Sequence, residues 1–96
     1  MGRRADWRRV AQEIALEIPG TRDGSRTLTL TELFARSGGQ REPKAFRTRS
    51  YWAAEQRGEP GASASRNAGL VLGFLPDETG RRVLSVPFRL DLLRQG

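Results

Sequence analysis

Arg47, Arg49, Tyr51 and Trp52 place two guanidinium groups and two aromatic rings within two turns of one predicted helix. A guanidinium fork grips phosphate oxygens in pairs and matches the edge of guanine. An aromatic ring offers a face on which a base can stack. The competing reading of the same residues is packing, with Trp52 in the core and Arg49 lying across its edge. Ser63, Ser65, Arg66 and Asn67 form a second cluster. Hydroxyls and the N–H groups of a helix start bind phosphate, and an Asn amide pairs with adenine. Helix capping uses the same residue types without any ligand. Arg81 and Arg82 follow Gly80 in a turn-forming stretch, where they would meet phosphates or simply face water. Arg3, Arg4, Arg8 and Arg9 make a basic start, read either as an arm or as a frayed terminus.

Other chemistries are excluded by composition. The chain has no Cys and no His, which rules out disulfides, thiol nucleophiles, zinc fingers and His-based catalysis. Carboxylates are the remaining reactive groups. Glu13/Glu17 and Asp77/Glu78 are the nearest pairs, and the single lysine, Lys44, beside Glu42-Pro43 does not complete a nuclease-like arrangement. No phosphate-cradling Gly loop is present. We therefore expect a non-enzymatic protein that needs no cofactor and no metal.

The charge balance points to a polyanionic partner. Of 96 residues, 17 are basic and 11 acidic, a net charge of +6. Biased codon usage accounts for many arginines, but the consequence for phosphate backbones is the same. The charge is spread evenly: residues 1–26 carry 6 − 4, residues 27–56 carry 5 − 3 and residues 57–96 carry 6 − 4, each +2. Only the fold can gather it. The longest apolar run, Gly69 to Leu75, falls far short of the ~20 residues of a membrane span. No signal-peptide core follows the N-terminal arginines, so a cytoplasmic location without membrane partners is expected.

Several elements must position these groups. Asp6 caps a helix whose apolar residues are Trp7, Val10, Ala11, Ile14 and Ile18; Arg9 can pair with Glu13, and Pro19-Gly20 stops the helix. Thr27 to Leu30 alternates as a short strand. Thr31 caps a second helix that Gly38-Gly39 ends. Pro43 starts a third helix over about Lys44 to Gln56. Residues 57–63 read as a mobile loop, and Ser63 or Ser65 caps a short turn through Ala68. Gly69 to Leu75 and Arg82 to Arg89 are two strands joined by the turn residues Pro76 to Gly80. In the second, Leu84, Val86 and Phe88 alternate with Val83, Ser85 and Pro87, and Pro87 suggests a sheet edge or strand end. Leu90, Leu92 and Leu93 are candidates for a last turn on the core.

The whole chain, 1–96, is expected to be one α+β domain, ordered helix, strand, helix, helix, hairpin, with frayed N-terminal residues. That order is winged-helix-like, a fold in which one helix enters the major groove and the hairpin touches the flanking backbone. The residue 57–69 link is long for such a fold, and Asp77 and Glu78 bring negative charge to the wing.

Four stretches also resemble a family of small bacterial domains with no established activity: Leu28-Thr29-Leu30-Thr31-Glu32-Leu33, Arg49-Ser50-Tyr51-Trp52-Ala53, Ala68-Gly69-Leu70-Val71 and Val86-Pro87-Phe88-Arg89. The resemblance spans about two-thirds of the chain. It implies a DNA-related role beside restriction-type or mobile-element proteins. The family often carries Asn where this chain has Ala54, so any contact made by that Asn is lost here. The function expected is binding of nucleic acid, double-stranded DNA before RNA, in a regulatory or a defence and mobile-element setting. The alternatives are a protein-interaction or accessory subunit, forming a homodimer or a hetero-complex through an apolar patch, and an RNA binder that stacks bases on Tyr51.

Overall fold

The computed structural model describes residues 5–57 and 64–92. The expected frayed residues Met1–Arg4, including Arg3 and Arg4, lie outside that range, as do residues 58–63 of the expected mobile loop and Leu93. The described residues form an α+β fold of four helices and one antiparallel sheet around a single apolar cluster.

Helix α1 (Trp7–Glu17) starts where expected, with the Asp6 carboxylate accepting from Arg9 N at 3.1 Å. Its 3.6-residue period buries Val10, Ala11 and Ile14, and Ile18 extends the stripe into a 3₁₀ turn (Ile18–Gly20). Glu13 and Glu17 lie one turn apart but are occupied by Arg36 of the next helix. Arg36 stands 3.6 Å from Glu13 and hydrogen-bonds both Glu17 oxygens, and Arg26 adds a 3.3 Å contact to Glu17. Hydrogen bonding from Arg36 holds the Glu17 carboxyl below its ordinary range. The expected Arg9–Glu13 pair does not form; Arg9 Nη2 instead donates to the Arg36 carbonyl at 2.7 Å.

Strand β1 (Ser25–Thr29) begins and ends earlier than the alternation suggested, and α2 (Leu30–Ser37) begins at Leu30. The cap is Thr29, not Thr31. Thr29 Oγ1 accepts from Glu32 N at 3.1 Å, and Glu32 Oε1 accepts from Thr29 N at 3.4 Å. This reciprocal box needs an acid or amide three residues after the cap; Thr29 has Glu32 there, whereas Thr31 has Phe34. Gly38 ends the helix in the left-handed region, φ 75°.

The third helix differs most from its expected span. Residues 44–47 form a turn, with Phe46 N donating to the Pro43 carbonyl at 3.1 Å, and α3 (Arg49–Arg57) starts only at Arg49. Two facts hold the chain out of helix. Phe46 is fully buried against Trp7, Phe34, Tyr51 and Trp52. The Arg47 carbonyl also accepts from Val83 N at 3.0 Å, and Thr48 bridges Arg82, so the segment pairs with a strand. A short α4 (Ala64–Asn67) follows, ended by Gly69 at φ 76°.

The last strands are β2 (Leu70–Leu72), β3 (Leu75–Pro76) and β4 (Val83–Leu90). β4 is central, with β1 along one side and β2 and β3 end to end along the other. Pro87 therefore sits mid-sheet rather than at an edge. Its carbonyl accepts from Gly73 N at 3.0 Å, and the N and C=O of one strand residue face the same neighbour. The absent N–H thus points at residues 73–74, where β2 has ended and β3 has not begun.

The expected alternation in β4 is broken by a bulge. Leu75 pairs Ser85 and Pro76 pairs Val83, leaving Leu84 as the extra residue. Val83 consequently turns inward at 3% exposure while Leu84 is thrown outward at 57%. Leu90 packs on the core, but Leu92 is 74% exposed and does not join it. No helix among the described residues is long and apolar enough to cross a membrane.

Candidate nucleic-acid interface

The pairing of residues 47–48 with the start of β4 brings two segments far apart in sequence to one end of the sheet. Thr48 bridges Arg82, and Arg49 Nη1 donates to the Gly80 carbonyl at 3.2 Å. The Arg49 guanidinium carbon also stands 5.9 Å from the centre of the Phe74 ring, within reach of a cation–π contact. Thr48 Oγ1 accepts from Tyr51 N at 3.4 Å, closing the first turn of α3 beside the hairpin. Arg47, Arg49, Arg81 and Arg82 therefore belong to one end of the molecule, with Lys44 in the adjoining turn.

Their chemical states differ. Arg47 is paired with Glu42 through Nε at 2.8 Å and Nη2 at 3.1 Å, and Nη2 touches Thr31 Oγ1 at 3.5 Å. Its charge is largely answered within the protein. Arg49 is tied to the hairpin. Arg81 and Arg82 are exposed, and among the described residues their side chains make no ion pair or hydrogen bond. With the exposed Lys44, which also makes no ion pair or hydrogen bond, they are the uncommitted cations at this end among the described residues.

The turn that presents them is internally braced. Asp77 N donates to the Arg82 carbonyl at 2.8 Å, and Gly80, at φ 72°, donates to the Asp77 carbonyl at 3.0 Å. The Asp77 carboxylate accepts from Thr79 N at 3.0 Å and Thr79 Oγ1 at 2.6 Å; Thr79 Oγ1 accepts from Arg81 N at 3.1 Å. These hydrogen bonds, the Thr79 hydroxyl first, hold the Asp77 carboxyl below its ordinary range. Asp77 therefore stays ionised while it braces the turn, and its negative charge remains beside the tip. Glu78 remains exposed.

Tyr51 and Trp52 both pack in the ring cluster around Phe46. Trp52 is 4% exposed and its indole N–H donates to the Phe46 carbonyl at 2.7 Å. The half-buried Tyr51 ring sits edge-on to Phe46 and Trp52 at 5.7 and 5.2 Å. Burial, helped by the Glu55 carboxylate, pushes its hydroxyl up to about 12. Tyr51 and Glu55 line a cavity of about 60 Å³ with Trp7, Trp52 and Ser65, space for a few waters at most. Burial also holds the Glu55 carboxyl above its ordinary range.

The second sequence cluster lies elsewhere. Ser65, Arg66 and Asn67 are on α4, which packs on α1 and β2. β2 pairs with residues 88–90 of β4, the opposite end from Arg82. At about 3.3 Å per strand residue the two clusters stand roughly 20 Å apart. Ser65 is half-buried against the cavity, Arg66 and Asn67 are exposed, and Ser63 lies outside the described residues. Sequence reasoning missed Phe74 and Thr48. Phe74 read as part of an apolar strand, and nothing local marks Thr48 as a bridge. Among the described residues no group of three or more His, Cys, Asp or Glu could hold a metal. No protein-family model, no curated protein and no solved structure matches this chain.

Proposed function

We propose that this domain binds nucleic acid, double-stranded DNA before RNA, and performs no chemistry on it. The observation that carries the reading is the exposed Arg81–Arg82 pair on a braced turn fastened to the start of α3 through Arg49–Gly80 and Thr48–Arg82. A helix end and a hairpin tip held in fixed relation are what a winged helix presents to a duplex. The element order supports that reading, as does a last strand lying between the first strand and its hairpin partner. Duplex is favoured over single strand because Tyr51, the obvious stacking ring, is committed to packing. The non-enzymatic reading is supported by Glu13 and Glu17, both engaged by Arg36. A regulatory, defence or mobile-element setting rests on the sequence resemblance alone.

Fluorescence anisotropy of a random duplex and a random single strand across a salt series tests this. Two phosphate contacts from Arg81 and Arg82 predict a log–log salt slope of about −2 or steeper for duplex. A flat response, or no binding at low salt, overturns it. One observation favours the second reading, a protein-interaction or accessory subunit and a homodimer. Val71, Leu75 and Leu84, 47%, 49% and 57% exposed, lie on strands at the sheet surface. Sedimentation as a monomer at high concentration counts against the homodimer.

A further inference from the structure

Reading base sequence in a groove requires side chains with uncommitted donors or acceptors on the face a helix offers the duplex. α3 has few. The Arg49 guanidinium, the natural guanine reader at its start, is turned toward the hairpin, giving one N–H to the Gly80 carbonyl and lying near the Phe74 ring. The Ser50 hydroxyl shares a 3.3 Å hydrogen bond with Thr48. Ala53 and Ala54 carry only methyl groups. The Trp52 indole N–H is spent on the Phe46 carbonyl, and the half-buried Glu55 carries a carboxyl group that repels phosphates when ionised. Gln56 is exposed, but it borders the groove formed with Leu72, Gly73 and Pro87, about 10 Å along the helix from Arg49. Arg47, just before the helix, is bidentate on Glu42.

Among the described residues at this end, the basic side chains left uncommitted are Arg81, Arg82 and Lys44, all on turns rather than on a helix face. Guanidinium groups so placed suit phosphate oxygens along the flank of a duplex, contacts that fix position and carry no sequence information. We infer that the domain recognises duplex DNA by its phosphate backbone, independently of base sequence. The inference rests on the duplex-binding reading above and narrows it to the class of target: any B-form duplex rather than an operator.

Competition separates the two claims. A labelled mixed-sequence duplex is displaced by unlabelled mixed, GC-rich and A-tract duplexes of equal length, and a random duplex pool is carried through rounds of selection. Backbone recognition predicts competition constants within about threefold of one another and no enriched motif, where operator binders discriminate by roughly a thousandfold or more. A preference above about thirtyfold, or a converging motif, overturns the inference while leaving duplex binding intact. A preference for A-tracts alone would assign Arg81 or Arg82 to a narrow minor groove and overturns it equally. Failure of every duplex to bind at low salt overturns the duplex-binding reading itself.

Discussion

Phe46→Ala is expected to cost about 3–5 kcal/mol, a large part of the stability a domain of this size possesses. Phe46 is fully buried and meets four rings: Trp7 stacked at 5.6 Å, and Phe34, Tyr51 and Trp52 edge-on at 5.7, 5.7 and 5.4 Å. Its carbonyl also receives the Trp52 indole N–H. Truncation leaves a cavity between α1, α2 and α3 that no neighbour can fill without abandoning its own packing. In urea the midpoint should fall sharply, and the melting temperature should drop by roughly 15–30 °C. In the observed turn, Thr48→Pro should also be damaging, because the segment bridges Arg82 and leads into α3. A Phe46→Ala loss below about 1 kcal/mol would contradict the packing described.

Reversing the charge of the hairpin tip is the second large effect. Arg81→Glu with Arg82→Glu is expected to lower duplex affinity on the order of a hundredfold at low salt and to reduce the salt slope by about 2. Both side chains are exposed and make no ion pair or hydrogen bond among the described residues, so folding should be little affected. Net charge falls equally in a control carrying Arg22→Glu and Arg89→Glu. Arg22 precedes β1 and Arg89 sits at the far end of β4, both away from the tip. Equal losses in the two variants would mean that bulk charge, not the turn, attracts the duplex. Measured side by side at matched salt, the tip variant should lose at least about tenfold more.

Much of the fold is legible in the sequence, and what is not has physical causes. α1 is set by local rules: the Asp6 cap, the apolar period and the Pro19 stop all act within a few residues. The same holds for Gly38, Gly69 and the Asp77-to-Gly80 turn. The errors arise where distant partners decide. Residues 44–48 have acceptable helix chemistry, but burial of Phe46 and pairing with Val83 and Arg82 override it. Pro87 suggests an edge until Gly73 interrupts the facing strand. The β4 alternation looks regular because a bulge inserts no unusual residue type; Leu84 and Val83 exchange faces without a local mark. The Thr29 cap was readable from Glu32 three residues on. The interface divides the same way. Arg81 and Arg82 are evident from their turn, whereas the commitment of Arg47 to Glu42 and of Arg49 to Gly80 depends on tertiary contact. So does the separation of Ser65, Arg66 and Asn67 from the tip.

The most direct test of the account is a titration of the ¹⁵N-labelled protein with a short mixed-sequence duplex, followed amide by amide. The account predicts that Thr48 to Ser50 and Thr79 to Arg82 shift or broaden first, together, and return when salt is raised. Changes centred on Ser65 to Asn67 and β2, or a spectrum unmoved by duplex at low salt, would contradict it.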